Sequence, residues 1–366
     1  MAEPLKNMYN RAFSDALSAA IVAVYPAFDA EVFNRRLYDA AWAARELKGR
    51  MRHISLTLRE LLPPDYAEAL AILRQVAPGL NGYGFAPMIF PDFVEVHGLD
   101  DWEVSLPALE QFTQQTSAEF AVRPFILQDQ PRMLAQMARW AEHPSEHLRR
   151  LASEGSRPRL PWAMALPALK VDPSPILPIL DRLKDDESEY VRRSVANSLN
   201  DISKDNPQVV LNVLRAWQTD ASPNVHKLTH HALRTLVKAG HAEALGLLGY
   251  ANEAAFAVTD LQLSPATVRV GESLTLRFAV AAPAETKQAA MIDYAVVFRR
   301  ANGQPSRKVF KGTKRTFAPG ESAAFVWRHS FRPISTRTYY PGEHAVEIQV
   351  NGVVSARQTF MLALVE

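Results

Sequence analysis

The sequence predicts a mainly α protein, a HEAT-like α-solenoid of helical repeats followed by a C-terminal immunoglobulin-like β-sandwich. Three observations carry that expectation. One segment recurs: Ser145–Gly155 (SEHLRRLASEG), Ser188–Leu199 (SEYVRRSVANSL) and Ser222–Leu233 (SPNVHKLTHHAL) share a register, with Leu148, Val191 and Val225 coinciding. Apolar residues keep helical spacing from Asp15 to about Ala251, as in Val225, Leu228, Ala232, Leu233 and Leu236. From Val258 the apolar period becomes two, as in Leu274, Leu276, Phe278 and Val280. The expected domains are therefore residues 1–251 and 258–366.

In the helical part the repeat starts lie 43 residues apart (Ser145 to Ser188) and then 34 (Ser188 to Ser222). Units of roughly 35–45 residues suit helix pairs that bury their apolar stripe only against neighbours. Pro63-Pro64, Pro78-Gly79, Asp172-Pro173 and Asn206-Pro207 punctuate the helices. Leu80–Leu106, rich in Gly, Pro and aromatics, is expected to include a long inter-helix connection. In the second part, turn signals at Val270-Gly271, Asn302-Gly303, Pro319-Gly320, Pro341-Gly342 and Asn351-Gly352 divide six or seven short strands, a number that suits a small sandwich.

Composition bounds the chemistry. The chain has 366 residues, 48% of them hydrophobic, and no cysteine, which excludes disulfides, thiolate metal sites and thiol nucleophiles. No apolar run approaches the roughly 20 residues of a membrane helix. The opening MAEPLKNMYNRAF lacks the basic-then-apolar design of a secretory signal. A cytoplasmic protein without membrane contact is expected.

The formal charge of +2 hides a split, because residues 258–366 carry a net +6 and the rest a net −4. Arg299–Arg315 (RRANGQPSRKVFKGTKR) gathers Arg299, Arg300, Arg307, Lys308, Lys311, Lys314 and Arg315 with no acidic residue among them. Such a patch attracts a polyanion through counterion release, or it solvates a sheet edge against aggregation.

The repeat register assigns the outward positions. With Leu148 as the buried reference, residues two and six further on lie opposite the apolar stripe. These are Arg150 and Glu154, Arg193 and Asn197, Lys227 and His231. Arg149 and Arg192 precede the first two pairs. Basic and hydrogen-bonding side chains along the inner wall of a repeat array suit a phosphate backbone, although Arg150 and Glu154 also fit an ordinary surface pair.

The first unit is longer than the second by about nine residues, the difference of the two spacings. The extra residues enter where its second helix should continue. Gly155 and Pro158 should end that helix early, before Ser156-Arg157-Pro158-Arg159-Leu160-Pro161-Trp162. Glu154 then stands in the last turn, where a carboxylate opposes the helix dipole, so Arg157 or Arg159 is expected to hold it. Trp162, following a proline, would by itself read as a plug for the next helix pair.

Together, ASEGSRPRLPWA (Ala152–Ala163), SAEFAVRPF (Ser117–Phe125) and YVRRSVANSLNDISKDNP (Tyr190–Pro207) on a helical array resemble the HEAT-like-repeat DNA alkylation repair glycosylases, and the AlkC branch in particular, whose members of this layout carry a C-terminal immunoglobulin-like domain. The resemblance spans essentially the whole chain. It implies a monofunctional glycosylase that hydrolyses the N-glycosidic bond of cationic alkylated bases, chiefly 3-methylcytosine and 3-methyladenine, without flipping the nucleotide into a pocket. By matching segment it puts Glu119 and Glu154 at the catalytic carboxylates, Glu154 as the principal group, and Trp162 beside the lesion sugar. The AlkD branch has an aspartate flanked by tryptophans at this site; here glutamates stand instead, and Trp140 and Trp217 receive no role. The implied partner is double-stranded DNA containing alkylated bases, bound by a monomer at the bacterial nucleoid, with no cofactor. Arg149, Arg150, Arg157, Arg159, Arg192, Arg193, Asn197, Lys227 and His231 would meet DNA from the array, and Lys308, Lys311, Lys314 and Arg315 would clasp it from the sandwich.

Glutamate suits such chemistry. A cationic base leaves as a neutral molecule without a general acid, and the sugar becomes an oxocarbenium ion that a carboxylate stabilises. An indole face adds a cation–π contribution. Other constellations carry less. His226, His230 and His231 offer an i,i+4 pair but no third zinc ligand. Gly82-Tyr83-Gly84 is too short for a phosphate loop. No Gly-x-Ser-x-Gly or His-Glu-x-x-His sequence occurs. The alternative to an enzyme is a non-catalytic HEAT-repeat module that binds DNA or protein through the same surface.

Overall fold

The computed structural model describes residues 4–219, 221–250, 256–283, 285 and 287–364. The chain forms two compact units, Met1–Ala232 and Leu233–Glu366. The first unit opens with α1 (Arg11–Val24), α2 (Ala30–Leu37), α3 (Leu47–Leu61), α4 (Tyr66–Val76), α5 (Ile89–His97), α6 (Trp102–Thr113) and α7 (Val122–Gln128). Many of these starts are written in the sequence. Asn10, Asp29, Asp65 and Asp101 each accept the backbone N–H three residues on, satisfying a donor that the first helical turn leaves open. Leu80–Leu106 differs from the expected long connection, because 3₁₀ turns lead straight into α5. Pro87 and Pro91 lie where a helix start needs no N–H, while Phe90, Phe93 and Val94 are buried.

Three helix pairs follow, α8 (Gln130–Trp140) with α9 (Glu146–Gly155), then α11 (Leu177–Leu183) with α12 (Glu189–Ile202), and α13 (Pro207–Trp217) with α14 (Pro223–Ala232). The five-residue α10 (Pro167–Val171) stands after the first pair. The second helices pack in a row, α9 on α12 and α12 on α14. Leu148, Val191 and Val225, the register residues of the sequence repeat, are each at most 3% exposed. Ser153 Oγ donates to Ser194 Oγ at 2.7 Å inside the α9–α12 contact, so these two buried hydroxyls satisfy each other. Trp140 and Trp217 close α8 and α13 at equivalent places. Their indole N–H groups donate to Glu110 at 2.6 Å and Asp181 at 2.7 Å, which makes both structural plugs.

The second unit begins with α15 (Arg234–Lys238) and α16 (Ala242–Leu247), residues that sequence periodicity assigns to the helical domain. They fold with the sheet because Leu245 and Tyr250 bury against Met291 and because the Gly240 backbone meets that of Gly352. Among the described residues, eight strands, more than the six or seven expected, make a sandwich: β1 (Ala257–Ser264), β2 (Thr267–Arg269), β3 (Ser273–Ala281), β4 (Gln288–Arg299), β5 (Pro305–Phe317), β6 (Ser322–Ser330), β7 (Gly342–Val350) and β8 (Val353–Ala363). One sheet runs β1-β3-β6 and the other β2-β8-β7-β4-β5, with β2 parallel to β8. Leu274, Leu276, Phe278 and Val280 face the core as the period of two requires. Asn351 and Gly352, both at positive φ, turn β7 into β8 as the expected two-residue hairpin.

In the first unit, one buried acid has a consequence for stability. Glu95 and Asp92 of α5 share Arg52 of α3, and Glu95 Oε2 is buried without a partner. Burial, and then the Asp92 charge, push the Glu95 carboxyl up against the opposing pull of Arg52. A carboxyl raised in the folded state lends stability below its unfolded pKa and loses it as pH rises through the folded value. Glu95→Gln is therefore expected to raise Tm at pH 7 and to lose that advantage below about pH 4, the ordinary glutamate range, in thermal melts across that window.

Candidate active site

The insertion ends its helix early, as expected. Helix α9 spans 10 residues against 14 for its counterpart α12, and it stops at Gly155. A Cβ at Gly155 would stand 2.5 Å from Val122 Cγ2, so only glycine lets the helix end approach α7 this closely. The chain then runs through 156–166 to α10. Arg123 of α7, fully buried, clamps that segment: its Nη1 donates to the carbonyls of Gly155 (3.0 Å) and Arg157 (2.8 Å), and its Nε to that of Met164 (2.6 Å). Burial, and then the like charge of Arg157, lower its pKa to about 10, so it stays charged at neutral pH.

Glu154 is 5% exposed, and Arg157 Nη1 lies 2.5 Å from its Oε1. Of the two arginines expected to hold it, Arg157 does so, while Arg159 pairs with Asp205 at 2.6 Å. The partner on the far side of Arg157 is Asp201 near the end of α12, 2% exposed and 2.7 Å from Nη2; Lys204 also reaches Asp201 at 2.9 Å. Arg150 joins the two glutamates, with Nη1 2.5 Å from Glu119 Oε2 and Nη2 3.5 Å from Glu154 Oε1. Ser117 Oγ donates to the same Glu119 oxygen at 2.7 Å. Burial lowers the Arg150 pKa, but the two carboxylates outweigh it and the net shift is upward. Three carboxylates, Glu119, Glu154 and Asp201, are thus compensated by Arg123, Arg150 and Arg157.

Glu119 and Arg150 open onto a cavity of about 350 Å³ whose wall includes Phe85, Phe120, Trp162 and Tyr190, with Met8, Met51 and Met88 among its apolar neighbours. Glu154 is not among the lining residues and stands behind Arg150. Trp162 is 68% exposed rather than a core plug, and it is held at φ +64°. That left-handed conformation is uncommon for a bulky residue and costs about 1–3 kcal/mol. Trp162 thus stands exposed in a strained backbone on the same cavity wall as Glu119, outside the core.

The basic residues expected to meet DNA divide into two kinds. Arg149 is bound to Asp186 (2.7 Å) and to the carbonyls of His143 and Pro144. Arg192 donates to the carbonyls of Asp186 and Glu187. Both tie a helix to the loop before it, and Arg157 is spent on Glu154 and Asp201. Arg193, Lys227 and His231 line a groove of about 300 Å³ between α12 and α14, which Arg192 also borders while it donates to those carbonyls; Arg193 and Lys227 are exposed there. Asn197, half-buried, lies one turn along α12 from Arg193. On edge strand β5, Arg307 pairs with Glu347 and Arg315 with Glu321. Lys308, Lys311 and Lys314 are exposed there and enter no ion pair among the described residues. Arg149→Met is accordingly expected to lower Tm with no change in the salt dependence of DNA binding. Lys227→Ala should do the reverse, reducing the slope of log K against log salt by about one. Anisotropy titrations at several salt concentrations, run beside thermal melts, separate the two.

Asp201, Arg123 and Lys48 also take part, and the sequence motifs did not single them out. Asp201 carries a readable signal, because it is a carboxylate in a last helical turn, the oddity that distinguishes Glu154. Arg123 and Lys48 carry none. Lys48 donates to the Trp162 carbonyl at 3.1 Å from a helix 114 residues away in sequence.

A family model described as DNA alkylation repair enzyme matches residues 101–236, and one described as the C-terminal Ig-like domain of the uncharacterised protein YhaZ matches residues 257–364. The chain is 44% identical over 358 residues to the uncharacterized protein YhaZ of Bacillus subtilis (strain 168), covering 98% of this chain and 99% of that protein. Among solved structures it is similar to the Pseudomonas fluorescens alkylpurine DNA glycosylase AlkC bound to DNA containing an abasic site analog. The TM-score is 0.94 and the identity 39%, over 99% of this chain and all of that one.

Proposed function

Since this chain belongs to the DNA alkylation repair enzyme family, on its AlkC branch, we propose that it is a monofunctional DNA glycosylase that hydrolyses the N-glycosidic bond of cationic alkylated bases, 3-methylcytosine and 3-methyladenine, in duplex DNA. The observation that carries the reading is the pair Glu119 and Glu154, bridged by Arg150 beside the exposed indole of Trp162. The enzyme acts as a monomer on a HEAT-like array, in the cytoplasm, and leaves the lesion outside a base-flipping pocket.

The bond between C1′ and the base nitrogen breaks with its electron pair going to the base, which departs neutral because it began as a cation. The positive charge passes to C1′ and the ring oxygen of the sugar. Glu119, on the cavity wall, and Glu154, behind it, lower the energy of that cation and orient the attacking water. The water oxygen bonds to C1′, and its proton passes to a carboxylate and then to solvent. Because Arg150 and Arg157 hold the carboxylates in place beforehand, little reorganisation is needed as charge develops. Trp162 offers its π face to the same cation, a contribution of about 0.5–2 kcal/mol. Arg193, Asn197, Lys227 and His231 meet phosphates and hold the register of the duplex, and Lys308, Lys311 and Lys314 supply a second set of phosphate contacts.

The test is the product. Incubation with a duplex carrying 3-methyladenine should yield free 3-methyladenine and an alkali-labile abasic site, with both strands intact before alkali. Tight binding to the same duplex with no free base would leave a non-catalytic DNA-binding module.

A further inference from the structure

We propose that Lys48 is a positioning residue for this reaction. Its ammonium holds the Trp162 carbonyl and thereby sets where the indole stands over the cavity. The inference rests on the glycosylase reading of the same site.

Trp162 needs an external anchor. It is 68% exposed and sits at φ +64°, so neither packing nor backbone preference keeps its ring in one place. The bonds within its segment lie to either side, Ala163 N to Leu160 O at 3.3 Å and Leu166 N to Pro158 O at 3.2 Å, while Arg123 holds Met164. The bond that fixes the Trp162 carbonyl itself comes from Lys48 Nζ at 3.1 Å. That nitrogen also stands 4.5 Å from the ring centroid of Phe120, next in the chain to Glu119. One ammonium therefore ties together the aromatic, the segment carrying a catalytic glutamate, and α3. Lys48 lines the same cavity as Glu119 and Trp162, yet it lies outside the stretch 101–236 that the family model matches. An N-terminal helix thus contributes to the geometry of a site whose carboxylates come from later in the chain.

Misplacement of about 1 Å at a reacting centre can cost on the order of 10²-fold in rate, and a loosened aromatic should cost part of that. Lys48→Met is expected to lower single-turnover base release by about tenfold, with affinity for undamaged duplex and the salt slope unchanged. Lys48→Arg should restore most of the rate, since a guanidinium can donate to the carbonyl and lie on Phe120. In a Trp162→Ala background, Lys48→Met should have no further effect. Additive losses in that double variant, or a salt slope reduced by about one as for a lost phosphate contact, would overturn the proposal. A second arm needs no activity. In DNA-free protein labelled with 5-fluorotryptophan, the Trp162 fluorine signal, identified by its loss in Trp162→Phe, should shift or broaden in Lys48→Met; an unchanged signal also overturns it. Should the native protein release no base at all, the function reading fails, and the fluorine spectrum still decides on Lys48.

Discussion

Glu119→Gln is expected to cut single-turnover release of an alkylated base about 10²–10³-fold while duplex affinity holds or rises slightly. The substitution keeps the shape of the side chain and an oxygen for Ser117 Oγ and Arg150 Nη1, which now meet at one carboxylate oxygen. What it removes is a negative charge on the wall of the cavity, where the sugar becomes a cation. That interaction is much stronger in the transition state than in the ground state, so its loss appears in the rate constant and not in affinity. Binding should not suffer, because a carboxylate facing a phosphate backbone repels it. Rapid-quench release with enzyme in excess, beside anisotropy on the same duplex, gives both numbers. Lost binding with an unchanged rate would make Glu119 only a strut for Arg150.

The second large effect is on the fold. Asp201→Asn should lower the stability of the helical unit by about 3 kcal/mol, because Arg157, buried between Asp201 and Glu154, keeps only one of its two carboxylate partners. Asp201 and Arg157 are 2% and 6% exposed, so water cannot replace the missing charge. Lys204, now 2.9 Å from Asp201, would lose its partner as well. For a unit of this size that figure corresponds to a fall in Tm of about 6–12 °C. The rate should fall too, since Glu154 is held by the same Arg157. Thermal melts of the two proteins decide the point: an unchanged Tm would mean that Asp201 does not compensate Arg157 in the folded chain.

Much of the helical unit and part of its site are legible in the order of the amino acids. The repeat register locates the buried Leu148, Val191 and Val225 because a helix that packs on two neighbours must present an apolar residue at the same turn in each unit. The early stop of α9 follows from Gly155 and Pro158, and the oddity of Glu154 in a last turn correctly implies a cationic partner. Other features depend on tertiary contact and leave no local trace. Trp162 looks like core by composition, and only its strained backbone and exposure show otherwise. Sequence reasoning offers Arg149 and Arg193 alike to DNA, yet Asp186 captures the first, while the second is exposed. Residues 233–250 keep a helical period but join the sheet unit because Leu245 and Tyr250 find their apolar partner in Met291.

The central claim is that this chain hydrolyses the glycosidic bond of a cationic base with a buried carboxylate as the electrostatic partner. The most direct test is release of 3-methylcytosine from a duplex carrying one such base, with native protein and Glu154→Gln compared under single-turnover conditions at moderate salt. Free 3-methylcytosine is expected from the native protein, with at least about 10²-fold slower release by the variant and equal duplex binding by both. Equal rates for the two proteins, or binding by both with no base released by either, would contradict it.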